Sequence, residues 1–127
     1  ITLANGPHLE NRSIAAGMLG EFPDEAATIA PVLVELIAKR DLSLTLRSVE
    51  SLGKLSAKSD VALNLLIQQL SQSNPDAIYP AIQQVGLLGP RGKAAEQRLT
   101  KLANERRFQE VATKALRSIR GEKSPAP

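Results

Sequence analysis

Three glycines recur at one fixed interval inside stretches whose apolar residues are spaced for helices. They are Gly20 in Gly17-Met-Leu-Gly-Glu-Phe22, Gly53 in Glu50-Ser-Leu-Gly-Lys-Leu55 and Gly86 in Gln83-Gln-Val-Gly-Leu-Leu88. Glycine inside a helix costs about 1 kcal/mol relative to alanine. The same cost taken at three equivalent places implies one shared constraint: a helix that must approach its neighbours too closely for a side chain. A period of about 33 residues also implies a structural unit that recurs along the chain.

The residues around the glycines repeat with them. Asn11–Phe22, Leu44–Leu55, Ala77–Leu88 and Phe108–Ile119 align as four copies of one helical string, the last arriving slightly early, near Ala115-Leu116. The segment after each of the first three strings repeats as well. Ile29, Ala62 and Ala95 share one position, Leu33, Leu66 and Leu99 a second, and Ile37, Leu70 and Ala103 a third. An i, i+4, i+8 order places each set on one helix face. Each unit is therefore two helices, A then B. Glycine at the end of helix A is expected to let it close on the B helix of its own unit and on the next unit.

Boundary residues agree with this division. Asp41 is expected to cap the second A helix, Asp60 the second B helix, and Asn74-Pro75 to supply an N-cap followed by proline at the first helical position. Asp24-Glu25 reads as the capped, acidic first turn of the first B helix. Gly89-Pro90 and Gly121 read as stops. Pro31 and Pro80 fall inside helical patterns and are expected to kink the helix or shorten its first turn.

The strings resemble HEAT-like repeats, in particular the short bacterial type found in bilin lyases. That type reads approximately Val-Arg-x-x-Ala-x-x-Ala-Leu-Gly-x-Ile-Gly, followed by a helix that starts Pro-x-Leu. Ser48-Val-Glu-Ser-Leu-Gly-Lys-Leu55 is close to its core and Ala30-Pro-Val-Leu33 to the start of its second helix. Arg12 takes the arginine position, whereas Thr45, Ile78 and Gln109 depart from it. The resemblance covers residues 11 to 121 and implies an all-α, right-handed α-solenoid, an armadillo-like superhelix of about three and a half helix pairs. Tetratricopeptide repeats have a similar period but need recurring aromatics, and this chain has no Trp, one Tyr and two Phe. Ankyrin's Thr-Pro-Leu-His-x-Ala is absent.

The units then run over 10–40, 41–73 and 74–105, with 106–121 as a lone helix that caps the stack, its Arg117 and Arg120 keeping the outer side wet. The chain opens on Ile1 rather than Met, as expected of a fragment of a larger protein, and residues 1–9 are expected to form a loop or part of a preceding unit. Residues 122–127, polar and proline-rich, read as a flexible tail.

No catalytic constellation emerges from the sequence, and the chain reads as no enzyme with no cofactor. The sole histidine, His8, has no triad partners at useful spacing. No cysteine is present, which excludes disulfides and thiolate metal sites and is compatible with any compartment. Gly89-Pro-Arg-Gly-Lys93 lacks the spacing of a phosphate-binding loop and reads as a turn. The enzymes that HEAT-like repeats do build rely on chromophore-handling residues, paired His-Glu motifs or aromatic DNA grooves, and none maps here. No apolar run approaches the roughly 20 residues that span a bilayer.

The expected function is therefore a non-catalytic protein-interaction or scaffold module. The candidate partner-facing strip lies on the B helices, where Glu35, Gln68 and Lys101 share a register position and grade from acidic through neutral to basic. Asn64, Lys93, Gln97 and Asn104 flank them. Charge supplies an alternative. Residues 1–90 hold six Lys or Arg against nine Asp or Glu, whereas residues 91–127 hold ten against four. Arg91, Lys93, Arg98, Lys101, Arg106 and Arg107 could meet the phosphates of a nucleic acid, each contact adding salt-sensitive affinity, although no aromatic platform for base stacking accompanies them. A third reading is an accessory domain of a larger enzyme.

Overall fold

The repeated apolar stripes form α-helices, seven of them among the described residues, which in this computed structural model are 9–39, 41–71 and 74–121. The A helices are α1 (Leu9–Leu19), α3 (Leu42–Ser56), α5 (Pro75–Leu87) and α7 (Gln109–Ile119). The B helices are α2 (Ala26–Ala38), α4 (Asp60–Gln68) and α6 (Glu96–Leu102). No strand occurs among the described residues. His8 and residues 122–127 lie outside them, as do the other residues before Leu9, and so does the side chain of Arg12.

Helix starts at α3 and α5 follow the capping chemistry, and those at α4 and α2 correct it. Asp41 caps α3 by accepting from the Leu44 N–H at 2.9 Å, and Asn74 caps α5 ahead of Pro75 by accepting from the Asp76 N–H at 3.0 Å. At α4 the cap is Ser59, not Asp60. Ser59 holds extended backbone angles and its hydroxyl accepts from the Ala62 N–H at 3.2 Å, while Asp60 is the first helical residue, where its charge favours the positive helix end. Asp24 and Glu25 do lead into α2, in a 3-10 turn, but no side chain caps that turn.

Helix ends also match. Gly89 and Gly121 adopt φ of 60° and 75°, a region that glycine enters without steric cost. Neither proline ends or shortens its helix: Pro31 and Pro80 lie inside continuous α2 and α5. The third B segment, expected to be one helix through Ala95, Leu99 and Ala103, is instead a 3-10 stretch, Gly89–Ala95, followed by the short α6. Gly92 sets this compact entry, because a Cβ there would lie 2.9 Å from Val85 Cγ1 and 3.0 Å from the Val85 carbonyl.

Packing joins helices that are near neighbours in the chain. α1 packs on α3, α3 on α5 and α5 on α7, while α2 packs on α3 and α4, α4 on α3, and α6 on α7. The B-helix residues at the first two equivalent positions are equivalently buried. Leu33, Leu66 and Leu99 are each inaccessible to solvent, worth roughly 1.5–3 kcal/mol apiece. Ile29, Ala62 and Ala95 are buried beside them, as are Ile37 and Leu70, and only Ala103 of the third set is half-exposed.

The three glycines in register sit where one A helix crosses the next. A Cβ on Gly20 would lie 2.9 Å from the Ser51 Cα, one on Gly53 2.9 Å from the Gln84 Cβ, and one on Gly86 3.2 Å from the Ala115 Cα. The receiving residues are themselves in register: Ser51, Gln84 and Ala115 recur at the spacing of the units, the last step shortened as it is for the fourth string. The close contact that favours glycine is thus between successive A helices rather than with the B helix of the same unit, and it is tighter at Gly20 and Gly53 than at Gly86. Ser51 tightens the first crossing, its hydroxyl donating to the carbonyls of Ala16 at 2.5 Å and Gly17 at 3.2 Å.

Candidate interaction surface

The B helices α2, α4 and α6 each bury one face and present the other. Just beyond each buried leucine stand Glu35, Gln68 and Lys101, all exposed. Asn64, Lys93, Gln97 and Asn104 are exposed as well. Among the described residues, none of these seven side chains takes part in an ion pair or hydrogen bond. The strip is therefore a set of polar groups whose only competitor for a partner is water.

The basic set is arranged differently, although its members too are exposed. Arg91 reaches back over 35 residues, its Nε donating to the Ser56 carbonyl at 2.6 Å and its Nη2 pairing with Asp60 at 3.0 Å. Arg98 donates to the Ser71 hydroxyl. Arg107 pairs with Glu105 at 3.5 Å and lies over the Phe108 ring, 4.5 Å from its centroid. Of the six, Lys93, Lys101 and Arg106 hold no such partner among the described residues. Three of the six cations thus already serve the fold, each bridging a turn or a helix end.

A second surface was not read from the sequence. Along the outer edge of α1, Ile14, Met18 and the following Phe22 are each at least half exposed, at 56%, 58% and 50%. A cleft of about 260 Å³ lies beside Ile14 and Met18 between α1 and α3, walled by Arg47, Glu50 and Lys54. The unit register holds the signal that would have found this surface, since Met18 aligns with Ser51 and Gln84 and Phe22 with Leu55 and Leu88.

Among the described residues no three His, Cys, Asp or Glu side chains come close enough to hold a metal ion, and no helix is long and apolar enough to cross a membrane. Comparison with protein-family models, with curated proteins and with solved structures finds no match to this chain.

Proposed function

We propose that the protein is a short right-handed α-solenoid of the HEAT-like kind that binds another protein through the exposed face of α2, α4 and α6. The observation that carries this reading is the row Glu35, Gln68 and Lys101: one register position, three successive B helices, every member exposed and none with a side-chain partner among the described residues. A charge gradient along such a row sets the orientation of a partner as well as attracting it, because like charges brought together are penalised. Nucleic-acid binding has weaker support, since Arg91, Arg98 and Arg107 would have to surrender contacts within the fold before meeting phosphate.

Two measurements test the proposal. Solution scattering is expected to show an elongated particle, with a radius of gyration above the roughly 14 Å of a compact chain of this length. Affinity capture from the source cells, compared between wild type, Glu35→Lys and Lys101→Glu, is expected to lose the same partner in both variants. An unchanged partner set in both removes the strip. Salt-sensitive binding of duplex or single-stranded nucleic acid that Lys101→Glu weakens would favour the alternative.

A further inference from the structure

Among the described residues the A helices form a series in which α1 has no A helix before it. At each internal step the receiving helix offers the same position to the helix before it: Ser51 of α3, Gln84 of α5 and Ala115 of α7, with Arg47 one turn before Ser51 lying against Gly17. Ser51 and Ala115 are buried, and Gln84 is half-buried. The residue that lies against this face is a glycine each time: Gly20, Gly53, Gly86. On α1 the position equivalent to Ser51 holds Met18, 58% exposed, and the position equivalent to Arg47 holds Ile14, also exposed. The face that is covered along the rest of the series is thus apolar and open on α1.

The far end of the series is built otherwise. One shortened period beyond Gly86 stands Arg117, exposed on α7 together with Glu110 and Lys114. This end carries charge where the internal crossings carry glycine, so it cannot serve as the mate of α1 in a second copy stacked head to tail.

We propose that the Ile14–Met18 face of α1 is a docking surface for one more repeat unit, whose A helix crosses Met18 with a glycine as Gly20 crosses Ser51. The three internal crossings define the occupant's chemistry: an amphipathic helix with a glycine where it meets the receiving residue and apolar neighbours one turn away. This interface is independent of the α2, α4 and α6 strip.

The test places a copy of residues 41–73 directly before residue 8, replacing residues 1–7, so that the added Gly53 precedes Gly20 by one full period of the repeat. Met18 is the sole methionine of the sequence and reports on the face through its oxidation by hydrogen peroxide. The added unit is expected to slow Met18 oxidation about tenfold, since thioether oxidation follows exposure. It is also expected to unfold with the rest of the chain in one transition at a higher midpoint. Gly53→Leu in the added copy is expected to abolish the protection. An unchanged oxidation rate overturns the proposal, as does equal protection by the leucine version. Protection of Met18 in the original chain by dimer formation, detected by sedimentation, would assign the face to a second copy and overturn it as well. Glu35→Lys and Lys101→Glu are expected to leave Met18 oxidation unchanged, which separates failure here from failure of the strip.

Discussion

The Asn74 side chain donates from Nδ2 to the carbonyl of Ile37, 2.9 Å away and 37 residues earlier in the chain. Its Oδ1 meanwhile caps α5 through the Asp76 N–H, and Nδ2 also reaches the Thr45 hydroxyl at 3.4 Å. One buried amide thereby fastens the start of α5 to the end of α2 and the first turn of α3. Loss of the cap costs about 1 kcal/mol, and loss of a donor to buried acceptors adds about 1–2 kcal/mol. Asn74→Ala is expected to lower stability by roughly 2–3 kcal/mol in urea denaturation. Asn74→Asp keeps the cap but turns a donor into a second acceptor facing Ile37 and Thr45. It is expected to be at least as destabilising near neutral pH, and a wild-type midpoint for Asn74→Asp would show that the cap is the whole effect.

Gly17 and Gly20 both approach α3, one from the last turn of α1 and one from just beyond it, and their substitution is expected to have opposite signs. A Cβ on Gly17 meets only Arg47, its Cδ at an ordinary 3.5 Å. Gly17→Ala is therefore expected to stabilise the protein by up to about 1 kcal/mol, through helix propensity and a less flexible unfolded chain. A Cβ on Gly20 meets backbone, the Ser51 Cα at 2.9 Å, and α1 and α3 must separate to admit it. Gly20→Ala is expected to cost about 1–3 kcal/mol. Thermal midpoints of the two variants moving in the same direction would refute the crossing as described.

Much of the architecture was legible in the sequence because the unit repeats and its errors average out. The period located the glycines, the A and B helices and the buried positions of Leu33, Leu66 and Leu99, and the caps at Asp41 and Asn74 followed from side-chain chemistry alone. The choice between Ser59 and Asp60 did not, because two adjacent good caps are separated only by backbone angles. Nor could the sequence say which neighbour the glycines face, since A helices are apolar toward both. The short form of the third B helix depends on Gly92 against Val85, a contact between residues of different segments. At the candidate surface, the exposure of Glu35, Gln68 and Lys101 was readable from helix periodicity. The engagement of Arg91 with Ser56 and Asp60 was not, because a long side chain can reach across a unit boundary that periodicity does not describe.

Arg91 allows that engagement to be weighed. Its two contacts differ in kind: Asp60 is 86% exposed, whereas the Ser56 carbonyl belongs to a buried residue at the end of α3. An ion pair with one partner so exposed contributes about 0–1 kcal/mol, whereas a charged donor to a carbonyl contributes about 1.5–3 kcal/mol. Asp60→Asn is expected to shift stability by less than about 0.5 kcal/mol, and Arg91→Ala by about 1–2 kcal/mol. Raising the salt concentration is expected to leave the Arg91→Ala deficit largely unchanged. Equal effects from the two substitutions would assign the interaction to the ion pair.

Ser48 offers the opposite case, a polar group the fold would be better without. It is fully buried in α3, and its hydroxyl finds no hydrogen-bond partner. The units place Ala15, Ala81 and Ala112 at the same position, so the site is shaped for a methyl group and the hydroxyl is an addition to it. Burying an unpaired hydroxyl costs roughly 1–3 kcal/mol by mutational measures, and alanine is also the better helix former by a few tenths. Ser48→Ala is expected to raise stability by about 1 kcal/mol, with no change in the denaturant slope because no surface is newly exposed. Ser48→Val adds bulk between α3 and its neighbours and is expected to destabilise despite being more apolar. A loss of stability in Ser48→Ala would mean that the hydroxyl has a partner in solution, a buried water being the chemical species that fits.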